Sequence, residues 1–176
     1  MGLLVNGQIF LVTEHKHVKP GKGGAFAKVK LKNIKTQQVL EKTFKPVDKF
    51  DEVKLEEKKL QYQYRSGANF HFMDLATFEQ VVIGEDALGD SIKFLQDNLE
   101  VTGICHKNEI LKVDLPIFFT AEIIQTEPGF KGDTSKAGTK PATIDTGAII
   151  QVPLFINIGD RIKIDTRTGS YSERVK

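Results

Sequence analysis

Residues Ala25-Phe26-Ala27-Lys28-Val29-Lys30-Leu31-Lys32 alternate between apolar and basic side chains. Successive side chains of a strand point to opposite faces. This period of two therefore predicts a β-strand with Ala27, Val29 and Leu31 toward a core and Lys28, Lys30 and Lys32 toward water or a polyanion. Upstream, Gln8-Ile9-Phe10-Leu11-Val12 reads as a partner strand, and Val18-Lys19-Pro20-Gly21-Lys22-Gly23-Gly24 lies between the two. That connection is built of residues that turn chains, so a β-hairpin is expected with Lys22 near its exposed tip.

The same rhythm continues downstream. Leu60 to Tyr64 and Phe70 to Met73 form a second hairpin around Arg65-Ser66-Gly67-Ala68-Asn69. Strands are expected over 100–106 and 110–115, around Lys107-Asn108-Glu109, and again from Phe118 to Thr126 after the break at Pro116. A long connection, Glu127 to Pro141, precedes strands over 148–152, 155–158, 161–165 and 171–175; connections of that length are usually functional or mobile. Helical spacing is confined to 87–99, where Leu88, Ile92, Leu95 and Leu99 recur, and Gly89 argues that the helix is short. The charged stretch near residue 50 and Pro116 divide the chain at regular intervals. The expected fold is all-β, with three small barrels over 1–51, 52–115 and 116–176.

Of 176 residues, 40% are hydrophobic and 27% charged, the composition of a folded domain rather than a disordered one. No apolar run reaches the roughly 20 residues that span a bilayer, and the start lacks the basic region of a secretory signal, so a cytoplasmic location without membrane contact is expected. Charge is unevenly placed: residues 15–35 hold seven lysines and no carboxylate, 74–100 hold seven carboxylates against Lys93, and 131–176 hold eight basic against five acidic residues. Such an arrangement could bridge two anionic sites or form ordinary solvated faces.

Several chemistries are disfavoured. No Gly-x-x-x-x-Gly-Lys-Ser/Thr fits the glycine-rich tip or the long connection, so nucleotide hydrolysis is unsupported. His15 and His17 lack a third ligand and read as surface or stacking residues, and Cys105, the single cysteine, as a buried inert thiol. Asp133 with Asp145, or Glu56 with Glu57, has no accompanying nucleophile and is expected to be solvated. Neither a metal nor a cofactor is expected. Tyr62, Tyr64, Phe70 and Phe72 read as core or cross-strand pairs before a base-stacking platform. A lysine among three glycines either keeps a turn soluble or contacts phosphates and 2′-hydroxyls; its lysine-faced hairpin favours RNA.

Lys19 to Ala27 and the carboxy-terminal region resemble the bacterial elongation factor P family. The family signature, Lys-x-Ala-x4-Gly-x2-aliphatic-x-Val-Pro-x2-aliphatic-x2-Gly, is met by Lys140, Ala142, Gly147, Ile150, Val152, Pro153, Ile156 and Gly159. Glu41 to Lys45, Pro128 to Thr134 and Asp165 to Tyr171 are also family-like, so the resemblance covers essentially the whole chain. It implies an amino-terminal SH3-like (KOW) barrel and two OB-fold barrels in an L-shaped arrangement similar in outline to tRNA. The first strand of the amino-terminal barrel is expected to be short or absent.

By the same resemblance the chain would be a non-enzymatic, monomeric translation factor. It would bind both ribosomal subunits between the peptidyl and exit sites, contact peptidyl-tRNA and rRNA, and stimulate peptide-bond formation at consecutive prolines. Lys22, with Lys19, Pro20, Gly21, Gly23 and Gly24, would reach the tRNA acceptor end, and Lys28, Lys30 and Lys32 would contact RNA. Gly132, Asp133, Thr134, Tyr171 and Arg174 would face the small subunit. Lys22 would be the acceptor for a lysine-modifying enzyme, for instance one adding a β-lysyl group, although lysine equally suits an unmodified tip. A paralogous elongation factor P-like protein, a general single-strand RNA-binding module and a small hydrolase are the competing readings, in falling order.

Overall fold

The structure is a computed structural model describing residues 2–19, 24–128 and 138–175. It is all-β, as expected, with three five-stranded sheets. The first holds β1 (Gly2–Val5), β2 (Gln8–Val18), β3 (Phe26–Asn33), β4 (Val39–Phe44) and β5 (Asp51–Val53) in the order β4-β3-β2-β1-β5. Its first turn is Asn6-Gly7 with φ of 51° and 77°. Positive φ at both centres is the two-residue geometry that matches strand twist, and Asn-Gly suits it best.

β1 is short but present, and it pairs on both edges: Gly2 lies opposite Leu11 of β2 and Val53 of β5. A Cβ on Gly2 would stand 2.9 Å from the Val53 carbonyl oxygen, so a larger residue would force β1 and β5 apart. The alternation read in β3 places Val29 and Leu31 in a core with Leu3, Phe10 and Phe44, while Ala27 packs at its margin. Lys28 and Lys30 remain exposed and Lys32 half-buried.

The second sheet holds β6 (Glu56–Ser66), β7 (Asn69–Asp74), β8 (Gln80–Gly84), β9 (Glu100–His106) and β10 (Glu109–Asp114) in the order β10-β9-β6-β7-β8. Tyr62, Phe70 and Phe72 are core residues, the Tyr62 and Phe72 rings meeting edge-on at 5.4 Å. Tyr64 stands outside the core and stacks on the opposing His71 at 4.4 Å. Cys105 is buried, its thiol donating to the Glu56 carbonyl at 3.2 Å.

The helix expected over 87–99 is replaced by a single α-turn, α1 (Glu85–Leu88), and a 3-10 segment, Gly89–Phe94. Gly89 takes a positive φ of 52°, which ends the α-helical hydrogen-bond run, and the chain is extended by Leu95. Leu99 caps no helix; its carbonyl accepts from the Tyr62 N–H at 2.9 Å, and the Asn98 N–H donates back to Tyr62.

The third sheet holds β11 (Phe118–Thr126), β12 (Thr139–Ile144), β13 (Ile149–Pro153), β14 (Arg161–Asp165) and β15 (Ser170–Val175) in the order β13-β12-β11-β14-β15. Its core gathers Phe119, Ala121, Ile123, Ala142, Ile144, Ile150, Val152, Ile156, Ile162 and Ile164, together with Phe94 from the 3-10 segment. The Phe94 ring lies 5.4 Å from that of Phe119, so residues on both sides of Pro116 share one core. The chain forms two compact units, 1–58 with 103–112, and 59–102 with 113–176.

The signature positions have structural duties in this sheet. Ala142, Ile150, Val152 and Ile156 are buried, and Gly147 and Gly159 both adopt φ of 86°, a conformation that would strain any side chain. Lys140 is buried too, its Nζ donating to the Glu127 carbonyl at 2.7 Å, while Thr126 Oγ1 donates to the Pro141 carbonyl at 2.9 Å. Among the described residues no helix is long and apolar enough to cross a membrane.

Candidate nucleic-acid interface

The arm that carries the expected tip is the β2–β3 hairpin. Its register runs from Phe10 opposite Asn33 to Val18 opposite Phe26, with a bulge at Thr13 whose Oγ1 donates to the Lys30 carbonyl at 3.1 Å. Before the bulge, β2 contributes Phe10 and Val12 to the core side. Beyond it, His15 and His17 lie opposite Val29 and Ala27 and are exposed, so the outer half of β2 lies free of the core. Lys19 and Gly24 flank the tip and are exposed; Pro20, Gly21, Lys22 and Gly23 lie outside the described residues.

The opposite face of the hairpin carries the expected basic stripe, but not alone. Glu14 lies directly opposite Lys30, Lys16 opposite Lys28, and Glu41 of β4 opposite Lys30 from the other side. Glu14 contacts Lys16 at 2.9 Å and Lys30 more closely still, and Glu41 reaches Lys28 at 3.7 Å. The face is thus a ladder of three lysines and two carboxylates. Hydrogen bonds from Lys30 and then Lys16 hold the Glu14 carboxyl down to about 2, and the same bond from Glu14 raises the Lys30 ammonium above its usual range. Among the described residues, Lys19 and Lys32 have no carboxylate within ion-pair distance.

At the carboxy-terminal end, Tyr171 and Arg174 both lie on β15, opposite Ile164 and Ile162. Tyr171 is half-buried and packs on the core, which leaves its outer edge for contact. Arg174 is exposed, 3.9 Å from Asp160 Oδ2, with its guanidinium 5.9 Å from the centre of the Phe155 ring. Gly132, Asp133 and Thr134 lie outside the described residues. Asp145 is more than a solvated carboxylate: both its oxygens accept from the Gln96 amide at 2.9 Å, tying the end of the 3-10 region to the turn after β12.

Sequence reasoning missed three features. Glu14 and Glu41 lie outside or across from the basic window, and only strand pairing brings them to it. Phe155 is 59% exposed beside Arg174, although it falls in a run that reads as a strand. Phe78 is 73% exposed with φ of 60°, a conformation that costs a bulky side chain, and no glycine or asparagine there announces it.

Comparison with known proteins gives three family matches in succession: the elongation factor P KOW-like domain over residues 1–50, the elongation factor P OB domain over 55–113, and the elongation factor P C-terminal domain over 120–174. Elongation factor P of Thermoanaerobacter sp. (strain X514) is 52% identical over 171 residues, covering 97% of this chain and 92% of that protein. Elongation factor P of Natranaerobius thermophilus is 45% identical over 176 residues, covering 100% of this chain and 94% of the relative. Among solved structures, eukaryotic translation initiation factor 5A from Methanococcus jannaschii aligns with a TM-score of 0.47 at 24% identity, over 64% of this chain and 86% of that one.

Proposed function

This chain belongs to the elongation factor P family of translation elongation factors, and on that premise we propose that it binds the ribosome between the peptidyl and exit sites and speeds peptide-bond formation at consecutive prolines. The observation that carries this reading is identity of 52% over 97% of the chain to a relative bearing that name. The exposed hairpin with Lys19 and Gly24 at the base of its tip supports it, because the arm can hold a cation away from the barrel.

The chemistry required is positioning. A secondary amine such as proline is a poor attacking group, and a peptidyl-tRNA whose acceptor end wanders reacts slowly; holding that end recovers part of the entropic barrier. In this reading Lys22, with or without a covalent extension added by a modifying enzyme, contacts the acceptor end, and Gly21, Gly23 and Gly24 let the backbone approach it closely. Lys28, Lys30 and Lys32 give sequence-independent phosphate contacts along the arm. Gly132, Asp133 and Thr134, with Tyr171 and Arg174, meet the small subunit. The protein catalyses nothing by itself; it assists the ribosomal peptidyl transferase.

Loss of one charge-assisted contact costs about 1.5–3 kcal/mol, or roughly 10- to 150-fold in rate. The test is synthesis of a triple-proline reporter in a purified translation system. Adding the protein should relieve the stall, and Lys22→Ala should lose relief by that factor. Equal relief by Lys22→Ala would remove the tip from the mechanism, and failure of native, mass-verified protein to relieve the stall would remove the function.

A further inference from the structure

We propose that Glu14, helped by Glu41, is a specificity residue that screens the hairpin lysines, so that the arm binds poorly to free RNA and engages only phosphates held in place by a larger partner. This rests on the reading that the arm meets RNA, and it adds which residue keeps that contact selective.

The argument begins with register. A strand face made only of lysines would attract any polyanion, since phosphate contacts carry affinity without sequence information. Here Glu14 stands between Lys16 and Lys30, with an oxygen directed to each, and Glu41 stands between Lys28 and Lys30 on the neighbouring strand. A phosphate that approaches Lys30 or Lys16 must therefore share the ammonium with a carboxylate already bound there or displace it, and it meets that carboxylate's charge at close range. A flexible single strand gains little from such an exchange, because each contact it makes also costs it conformational freedom. A folded RNA surface whose phosphates are already arranged pays no such ordering cost.

Lys19 lies outside this arrangement, with no carboxylate within ion-pair distance among the described residues. The ladder thus leaves free positive charge at the base of the tip and damps it along the shaft. The firm hold of Lys30 and Lys16 on the Glu14 carboxylate, which stays ionised down to about pH 2, means that the screen persists at every physiological pH.

The experiment measures binding of the full chain to a fluorescent polyuridine oligonucleotide against salt concentration. Freeing Lys16 and Lys30 adds two phosphate contacts, so Glu14→Gln should steepen the log–log salt slope by about 1.4 and make its affinity fall about 7-fold more than wild type between roughly 50 and 200 mM salt. Glu41→Gln, which frees mainly Lys28, should steepen the slope by about 0.7. Asp86→Asn removes one exposed carboxylate elsewhere and should leave the slope unchanged. A natively folded Glu14→Gln with a wild-type slope would overturn the proposal, and so would an equal gain from Asp86→Asn, which would reduce the effect to net charge. Cosedimentation of the wild-type chain with bacterial ribosomes tests the functional reading separately: its loss would sink that reading, whereas retained cosedimentation with unchanged polyuridine slopes would sink only the screen.

Discussion

Replacing Phe94 by alanine tests whether the 3-10 segment is a structural part of the carboxy-terminal barrel. The ring is 2% exposed, meets Phe119 at 5.4 Å, and lies where a Cβ on Gly169 would stand 3.4 Å from its edge. Ten other buried residues of that cluster come from the third sheet and its turns, so the hole left by Phe94→Ala opens directly into their core. Burying a phenylalanine is worth about 1.5–3 kcal/mol by transfer alone, and with the cavity term Phe→Ala in a core costs about 3–5 kcal/mol. For a chain of this size each kcal/mol moves Tm by about 2–4 °C, so the midpoint should fall by roughly 6–20 °C. Thermal unfolding by circular dichroism, with a denaturant midpoint as a second measure, reads this directly. Phe155→Ala, the same chemistry on a 59% exposed ring, is the control and should cost under about 1 kcal/mol. A loss below about 1 kcal/mol for Phe94→Ala would refute the view that the segment plugs this core.

Two further outcomes are expected. The folded-state pKa of Glu14, about 2, lies below its ordinary 4.5. Its ion pairs therefore contribute above the ordinary value, weaken as pH falls below it and are lost through about 2; a carboxyl NMR titration should show this, with Lys30→Ala bringing the transition back up toward the ordinary range. Phe78→Gly should stabilise the protein by up to about 1.5 kcal/mol, since a left-handed residue costs about 1–2 kcal/mol and glycine's extra chain entropy returns about 0.5–1 kcal/mol of that. A lower denaturant midpoint for Phe78→Gly would mean that the exposed ring packs more than its exposure implies.

What could be read from the sequence was local. Alternation over Ala25 to Lys32 placed Val29 and Leu31 inside because a strand's period depends only on neighbours. The turn at Lys107-Asn108 was legible for the same reason, and both residues do take positive φ. What escaped notice depended on distant partners. Spacing makes 87–99 look helical and Gly89 argues that the helix is short, but nothing local shows that Phe94 is claimed by a core built some 25 to 70 residues downstream. The lysine stripe looked uncompensated because Glu14 sits one residue outside the window counted and Glu41 arrives on a third strand. Of the expected contact residues, the shaft lysines, Tyr171 and Arg174 were placed on the elements foreseen, but their carboxylate neighbours were not visible until pairing was known.

The duties of the signature positions bear on what such a pattern can diagnose. Glycines held at positive φ, aliphatic side chains inside a sheet and a lysine bonded to a carbonyl are demands of the fold itself, met whether or not any ribosome is ever bound. A duplicated descendant that lost its cationic tip would still satisfy every one of those positions and would be grouped with the family by them. Sorting active members from retired ones calls for a second criterion read from the other end of the chain, in the sequence between Val18 and Ala25.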